Sequence, residues 1–236
     1  VKLRNTLIGI STDNVWLDGL LSHAPDVRAL AVILQPDAAD PAHAREAAIA
    51  RSLQSHGFAT LTLNLLTHYE QTRDPDARFN VPQLANRVVA AAEWIGHQPP
   101  LTPLAIGLFA SDTTCAAAIR AAVRIPERIG AIVCQAGRPD LAGAAQLRAL
   151  HVPTRFIVGR DNPQAAMLHQ AYGLIGGTHD WQAIDGNDPA HAGDHEIEQT
   201  GRLAAEWLQQ HLPLPRAAES AASPGEQPPL PHPGPA

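Results

Sequence analysis

The chain has 236 residues, of which 45% are hydrophobic and 17% charged. That is enough apolar side chain for one sizeable core with an extension, and too little charge for a disordered chain. A formal net charge of -6 at pH 7 argues against nucleic acid as a partner, because phosphate binding needs clustered Lys and Arg. The first residues alternate Leu3, Thr6, Ile8 and Ile10 with polar positions and hold no continuous apolar stretch, so they read as a strand and not as a signal peptide. No run approaches the roughly 18 apolar residues of a membrane span, and a cytoplasmic protein is expected.

In chain order, β-rich segments 2–11 and 15–22 flank Thr12-Asp13-Asn14, whose short polar side chains suit a tight turn and predict a hairpin. The apolar run ALAVILQ at 29–35 reads as the first buried strand. Helical and strand patterns then alternate: helix 42–56, strand 59–65, helix 82–97, strand 103–109, helix 113–124, strand 129–135, helix 140–149, strand 154–159, helix 163–174, strand 178–184 and helix 195–212. Short continuous apolar strands between amphipathic helices predict an α/β protein with a mostly parallel sheet covered on both faces. An antiparallel N-terminal hairpin feeding such a series is the element order of the α/β-hydrolase fold.

After Leu212 the sequence changes to PLPRAAESAASPGEQPPLPHPGPA, a third of it proline, which cannot hold a helix or a central strand. The expected domain is therefore 1–212, with 213–236 a disordered tail or tether. Deleting 213–236 is expected to leave the melting temperature nearly unchanged, and a drop of many degrees would make the tail part of the fold.

Several stretches carry a family likeness: ARSLQSHGFATLTLNLLT at 50–67, RFNVPQLANRVVAAAEWI at 78–95, AGRPDLAG at 136–143, VPTRFIVG at 152–159 and RLAAEWLQQHL at 202–212. Together they make the chain resemble a dienelactone-hydrolase-like α/β hydrolase over nearly the whole domain. The resemblance implies a nucleophile elbow, an oxyanion turn, an acid and a histidine at set stations, and a phosphoribosyltransferase-like partner domain.

Each station departs from the family pattern. The oxyanion turn, His-Gly-Ser-Gly-like in the family, reads Gln35-Pro36-Asp37-Ala38-Ala39-Asp40 here. Proline has no N–H to donate, and carboxylates there would repel an oxyanion. At the elbow, Phe109 is too bulky to stand two residues before a tip at Ser111, so Asp112 takes the tip, flanked by Ala110 and Thr114. Asp112 reads either as a nucleophile that attacks an sp3 carbon, as in haloalkane dehalogenases or epoxide hydrolases, or as a residue tolerant of the positive φ that an elbow needs.

The acid station is Arg160-Asp161-Asn162-Pro163, where Asp161 either orients a histidine or caps the following helix. At the histidine station stands Gly186-Asn187-Asp188-Pro189, with His191 two residues on; His191 is the candidate base if that loop is remodelled. Gln35, Thr113 and Arg138 are the candidate ligand contacts. Arg138, at the carboxyl end of a central strand, reads equally as an anion site or as part of a turn in which Asp140 caps a helix. Asp188, His191, Asp194 and His195 resemble a metal cluster on paper but lack motif-grade spacing, so no metal or cofactor is expected. The buried cysteine candidates Cys115 and Cys134 read as small hydrophobes. Changes at four stations together predict a catalytically degenerate scaffold acting by small-molecule or protein binding; the rival is a hydrolase using Asp112, Asp161 and His191.

Overall fold

The computed structural model describes residues 2–36, 43–185 and 193–215. His191, Asp37 to Asp40 and residues 216–236 lie outside them. Strands β1 (Arg4–Thr12) and β2 (Val15–His23) form the hairpin, with Thr12 opposite Val15. This register leaves a two-residue turn, Asp13-Asn14, with φ 46° and 62°. Two successive positive φ values match the right-handed twist of the flanking strands, and Asp and Asn tolerate them because their short side chains bond locally.

The chain continues through β3 (Leu30–Gln35), α1 (His43–Ser55), β4 (Ala59–Asn64), α2 (His68–Arg73), α3 (Val81–Gly96), β5 (Ile106–Ser111), α4 (Thr114–Arg124) and β6 (Ile129–Gln135). Then come α5 (Ala144–Ala149), β7 (Thr154–Gly159), α6 (Ala165–Tyr172), β8 (His179–Ile184) and α7 (Asp194–His211). The eight strands make one sheet in the order β1-β2-β4-β3-β5-β6-β7-β8, parallel from β4 onward and antiparallel in the hairpin and at its junction with β4. This is the α/β-hydrolase architecture that the element order predicts.

Strand alternation divides the core in two. On one face Val32, Leu34, Leu108, Ala110, Ile132 and Cys134 pack with residues of α3 and α4; on the other, Ala31, Ile33, Phe109, Ala131 and Val133 pack with residues of α1 and α7. Burial on both faces is why the strands read as unbroken apolar runs. Two elements differ most from expectation. The strand placed at 103–109 runs Ile106–Ser111, because 101–104 form turns before it. The helix placed at 140–149 is a 3-10 turn, Pro139–Ala142, followed by α5 after Gly143 at φ 91°.

Helix α2 buries none of its residues, so it has no apolar stripe to betray it. Its start is fixed by a capping box in which Thr67 and Glu70 bond each other's backbone N–H. Glu70 also binds Arg87 of α3 through two hydrogen bonds of 2.9 and 2.5 Å, while Arg87 donates at 2.6 Å to the Leu65 carbonyl. The fully buried Arg87 lies 3.8 Å from the Asp13 carboxylate. One guanidinium thus ties hairpin turn, α2 and α3 together.

Candidate functional site

Asp112 stands between the end of β5 and the start of α4 with φ 45°, an uncommon conformation for a residue with a Cβ. The Thr114 hydroxyl stabilises the sharp turn by accepting from the Ser111 N–H at 3.0 Å and donating to the Ser111 carbonyl. The Asp112 carbonyl accepts from the Arg138 N–H at 3.0 Å and the Cys115 N–H at 3.3 Å. Opposite it, the end of β6 turns through Ala136 at φ 49° and Gly137 at φ 85°. A Cβ on Gly137 would meet the Asp112 carbonyl oxygen at 2.7 Å, its nitrogen at 2.9 Å and the Cys115 sulfur at 2.6 Å. Gly137→Ala is therefore expected to destabilise by about 1–3 kcal/mol through overpacking against backbone that cannot give way, with added strain from the positive φ. A chemical-denaturation midpoint unchanged from wild type would show that the turn yields.

The Asp112 carboxylate is about half exposed and lies 3.9 Å from the Arg78 guanidinium, itself half exposed above the Phe79 ring at 5.0 Å. Among the described residues no histidine hydrogen-bonds to it. Arg78 is the site residue that sequence reading passed over. It lies in the 3-10 turn Ala77–Phe79, outside any periodic pattern.

The remaining candidates are placed less favourably for chemistry. Asp161 is exposed and makes no hydrogen bond among the described residues. It does not cap α6, whose N-cap position is Gln164 with no side-chain cap bond; the neighbouring Asn162, buried, accepts from the Gln164 N–H at 2.8 Å in an Asx-type turn. Arg138 binds Asp140 side on, at 2.9 and 2.8 Å, and this pairing raises its pKa above the ordinary guanidinium value. Asp140 makes no side-chain cap bond to the 3-10 turn it lies in, so its carboxylate is engaged by Arg138 and the capping reading fails. Thr113 is buried, with a hydroxyl that has no partner. Gln35 is buried at the end of β3, and Pro36 follows it without an N–H.

Both cysteines are buried and unbridged. Burial, then the neighbouring Cys134, pushes the Cys115 thiol well above the ordinary range, so Cys115 beside the elbow is not a thiolate nucleophile. Among the described residues no group of three or more His, Cys, Asp or Glu side chains is placed to hold a metal. No described helix is long and apolar enough to cross a membrane.

No family model matches the chain. A dienelactone hydrolase from Anabaena variabilis superposes with a TM-score of 0.82 at 29% identity, over 90% of this chain and 100% of that one. An esterase of Pyrococcus furiosus superposes with a TM-score of 0.70 at 13% identity, over 89% and 92% of the two chains, a likeness of fold alone. Two Mycobacterium tuberculosis sequences, each named "Putative phosphoribosyl transferase", are 30% identical over 211 residues, 89% of this chain and 47% of theirs. The chain thus spans about half the length of the curated relatives it matches. An eight-stranded sheet with an antiparallel leading hairpin, a strained turn between β5 and α4, and a match along the full length of a dienelactone hydrolase give this chain the α/β-hydrolase fold and a likeness to the dienelactone hydrolases.

Proposed function

We propose that the chain is a catalytically degenerate α/β-hydrolase-fold protein that acts by binding, with the mouth around Asp112, Arg78 and Arg138 as its contact surface. The observation that carries this reading is the pairing of a retained elbow backbone, φ 45° at Asp112, with a tip whose carboxylate faces an arginine. An elbow keeps its shape for packing reasons even when its tip no longer reacts, and the Asp112 carboxylate has an arginine at 3.9 Å and no histidine hydrogen-bonded to it among the described residues. The exposed Arg78 and Phe79 ring, with the half-buried Arg138 beside them, suit a small anionic molecule with an apolar part, or an acidic segment of a partner. A phosphoribosyltransferase-like domain is the partner that the matched relatives' name suggests.

The second reading is a hydrolase with Asp112 as nucleophile, Asp161 as orienter and His191 as base. The strained tip favours it, since strain is stored at working sites; Asp161, exposed and without a hydrogen bond among the described residues, weighs against it. Assaying the purified chain against activated short-chain esters, haloalkanes and epoxides separates the two. No turnover above background is expected. Turnover of haloalkanes or epoxides that is lost in both Asp112→Ala and His191→Ala would install the second reading in place of the first.

A further inference from the structure

Behind the elbow, on the α1 and α7 face of the sheet, a second polar feature crosses the carboxyl ends of four adjacent strands. Gln35 pairs in register with Asn64, and Ser111 with Gln135. Gln35 and Ser111 each lie two residues beyond the Ile33–Phe109 pair. The row Asn64, Gln35, Ser111, Gln135 therefore puts one polar side chain per strand at one height, about 5 Å apart, above the apolar row Ile33, Phe109 and Val133. From α1, Arg45 donates to the Ser111 hydroxyl at 3.1 Å and to Glu46 at 2.6 Å.

Several of these groups are buried without partners. Gln135 and Glu46 are each 3% exposed, yet Gln135 Oε1 and Glu46 Oε2 make no hydrogen bond, and neither does Asn64 Oδ1. An acceptor buried unsatisfied costs free energy that an apolar residue of the same shape would not. Such groups persist when something else needs them.

We propose that this row is a binding site for a small uncharged polyol. The unpartnered atoms are acceptors on one carboxylate and two amides, so a complementary ligand must present donors at closely spaced points, as hydroxyls do. Glu46 is neutralised by its ion pair with Arg45, so a neutral ligand suits the orphan acceptors better than a cation. Asn64 and Arg45 are the partly exposed members. The assignment rests on the reading of the chain as a binding protein but puts this ligand on the opposite side of the elbow from Asp112.

D-ribose is a suitable probe, followed by saturation-transfer NMR on the full chain, with thermal melts of the free proteins alongside. Wild type is expected to show transfer to ribose, and Asp112→Ala to show the same. Gln135→Met should bind about tenfold more weakly or not at all. Without ligand, that variant should melt about 2–4 °C higher, because an unpaired buried amide has been removed. The combination matters, since an amide satisfied by ordered water would lower the melting temperature when replaced, and that result would overturn the proposal. Absence of transfer in wild type, or transfer undiminished in Gln135→Met, would overturn it equally. Transfer lost in Asp112→Ala but kept in Gln135→Met would move the ligand to the mouth at Asp112, which sinks this site and leaves the proposed function standing.

Discussion

Glu70→Ala is expected to lower stability by about 3–5 kcal/mol, because it leaves a fully buried guanidinium without its carboxylate. That is a large share of the roughly 5–15 kcal/mol that holds a domain together. The carboxylate binds Arg87 through both its oxygens and also accepts from the Thr67 N–H and hydroxyl, so one substitution removes an ion pair and half of a capping box. What remains for Arg87 is the Leu65 carbonyl and the Asp13 carboxylate at 3.8 Å, too long for a hydrogen bond. Urea denaturation at neutral pH measures the loss directly, and a loss below about 1 kcal/mol would mean that the cation reaches water. The pair as a whole need not be stabilising against an apolar substitute. Glu70→Leu combined with Arg87→Met should recover most of the deficit, since it removes both desolvated charges together.

The same pair predicts the acid limb of the stability curve. The hydrogen bonds from Arg87, aided by Thr67 against the opposing effect of burial, lower the Glu70 pKa from 4.5 to about 2. A depressed carboxylate contributes stability that is present in full above its unfolded value and fades as pH falls through the folded one. The contribution of Glu70 should thus be complete above about pH 4.5 and lost on approach to pH 2. In Glu70→Gln the fall in stability across that window should be shallower than in wild type.

The scaffold was legible because its signals are repeated and redundant. Runs such as ALAVILQ and IGAIVCQ stay apolar at every position because both faces of the sheet are covered, and Asp13-Asn14 announces its turn by residue type. The positive φ at Asp112 also follows from the sequence, through the bulk of Phe109, which is fully buried. Features defined by contacts across long separations were not legible. Nothing local to Arg87 says that it pairs with Glu70, 17 residues away, and nothing local to Arg78 says that it reaches Asp112. The polar row is hidden for the same reason: Gln35, Asn64, Ser111 and Gln135 are ordinary strand-end residues until the sheet order sets them side by side. At Asp161 the sequence suggested a helix cap, whereas the backbone gives the local side-chain bond to its neighbour Asn162.

Asp112→Ser is expected to leave ester hydrolysis at background, although it restores a hydroxyl at the tip of an intact elbow. A serine hydrolase needs its nucleophile, a base to take the proton and N–H donors for the oxyanion, and these work as a unit, so that supplying one without the others gains little. A serine at 112 would keep the positive φ of the tip and find no histidine hydrogen-bonded to that position among the described residues. The donor turn begins with Pro36, which has no N–H, and one missing oxyanion donor alone costs about 10²–10³ in rate. A triad short of its base and a turn short of a donor therefore compound to several orders of magnitude, more than a new hydroxyl can offset. The control is Asp112→Asn, which keeps shape and removes charge: it should match Asp112→Ser in rate and, if the residue stands there for its backbone, match wild type in stability, since Asn tolerates positive φ as Asp does. Steady turnover of a short-chain p-nitrophenyl ester by Asp112→Ser, with a burst equal to the enzyme concentration, would mean that a base and an oxyanion hole survive. The reading of the chain as a degenerate hydrolase would then give way to that of an enzyme whose nucleophile alone has been exchanged.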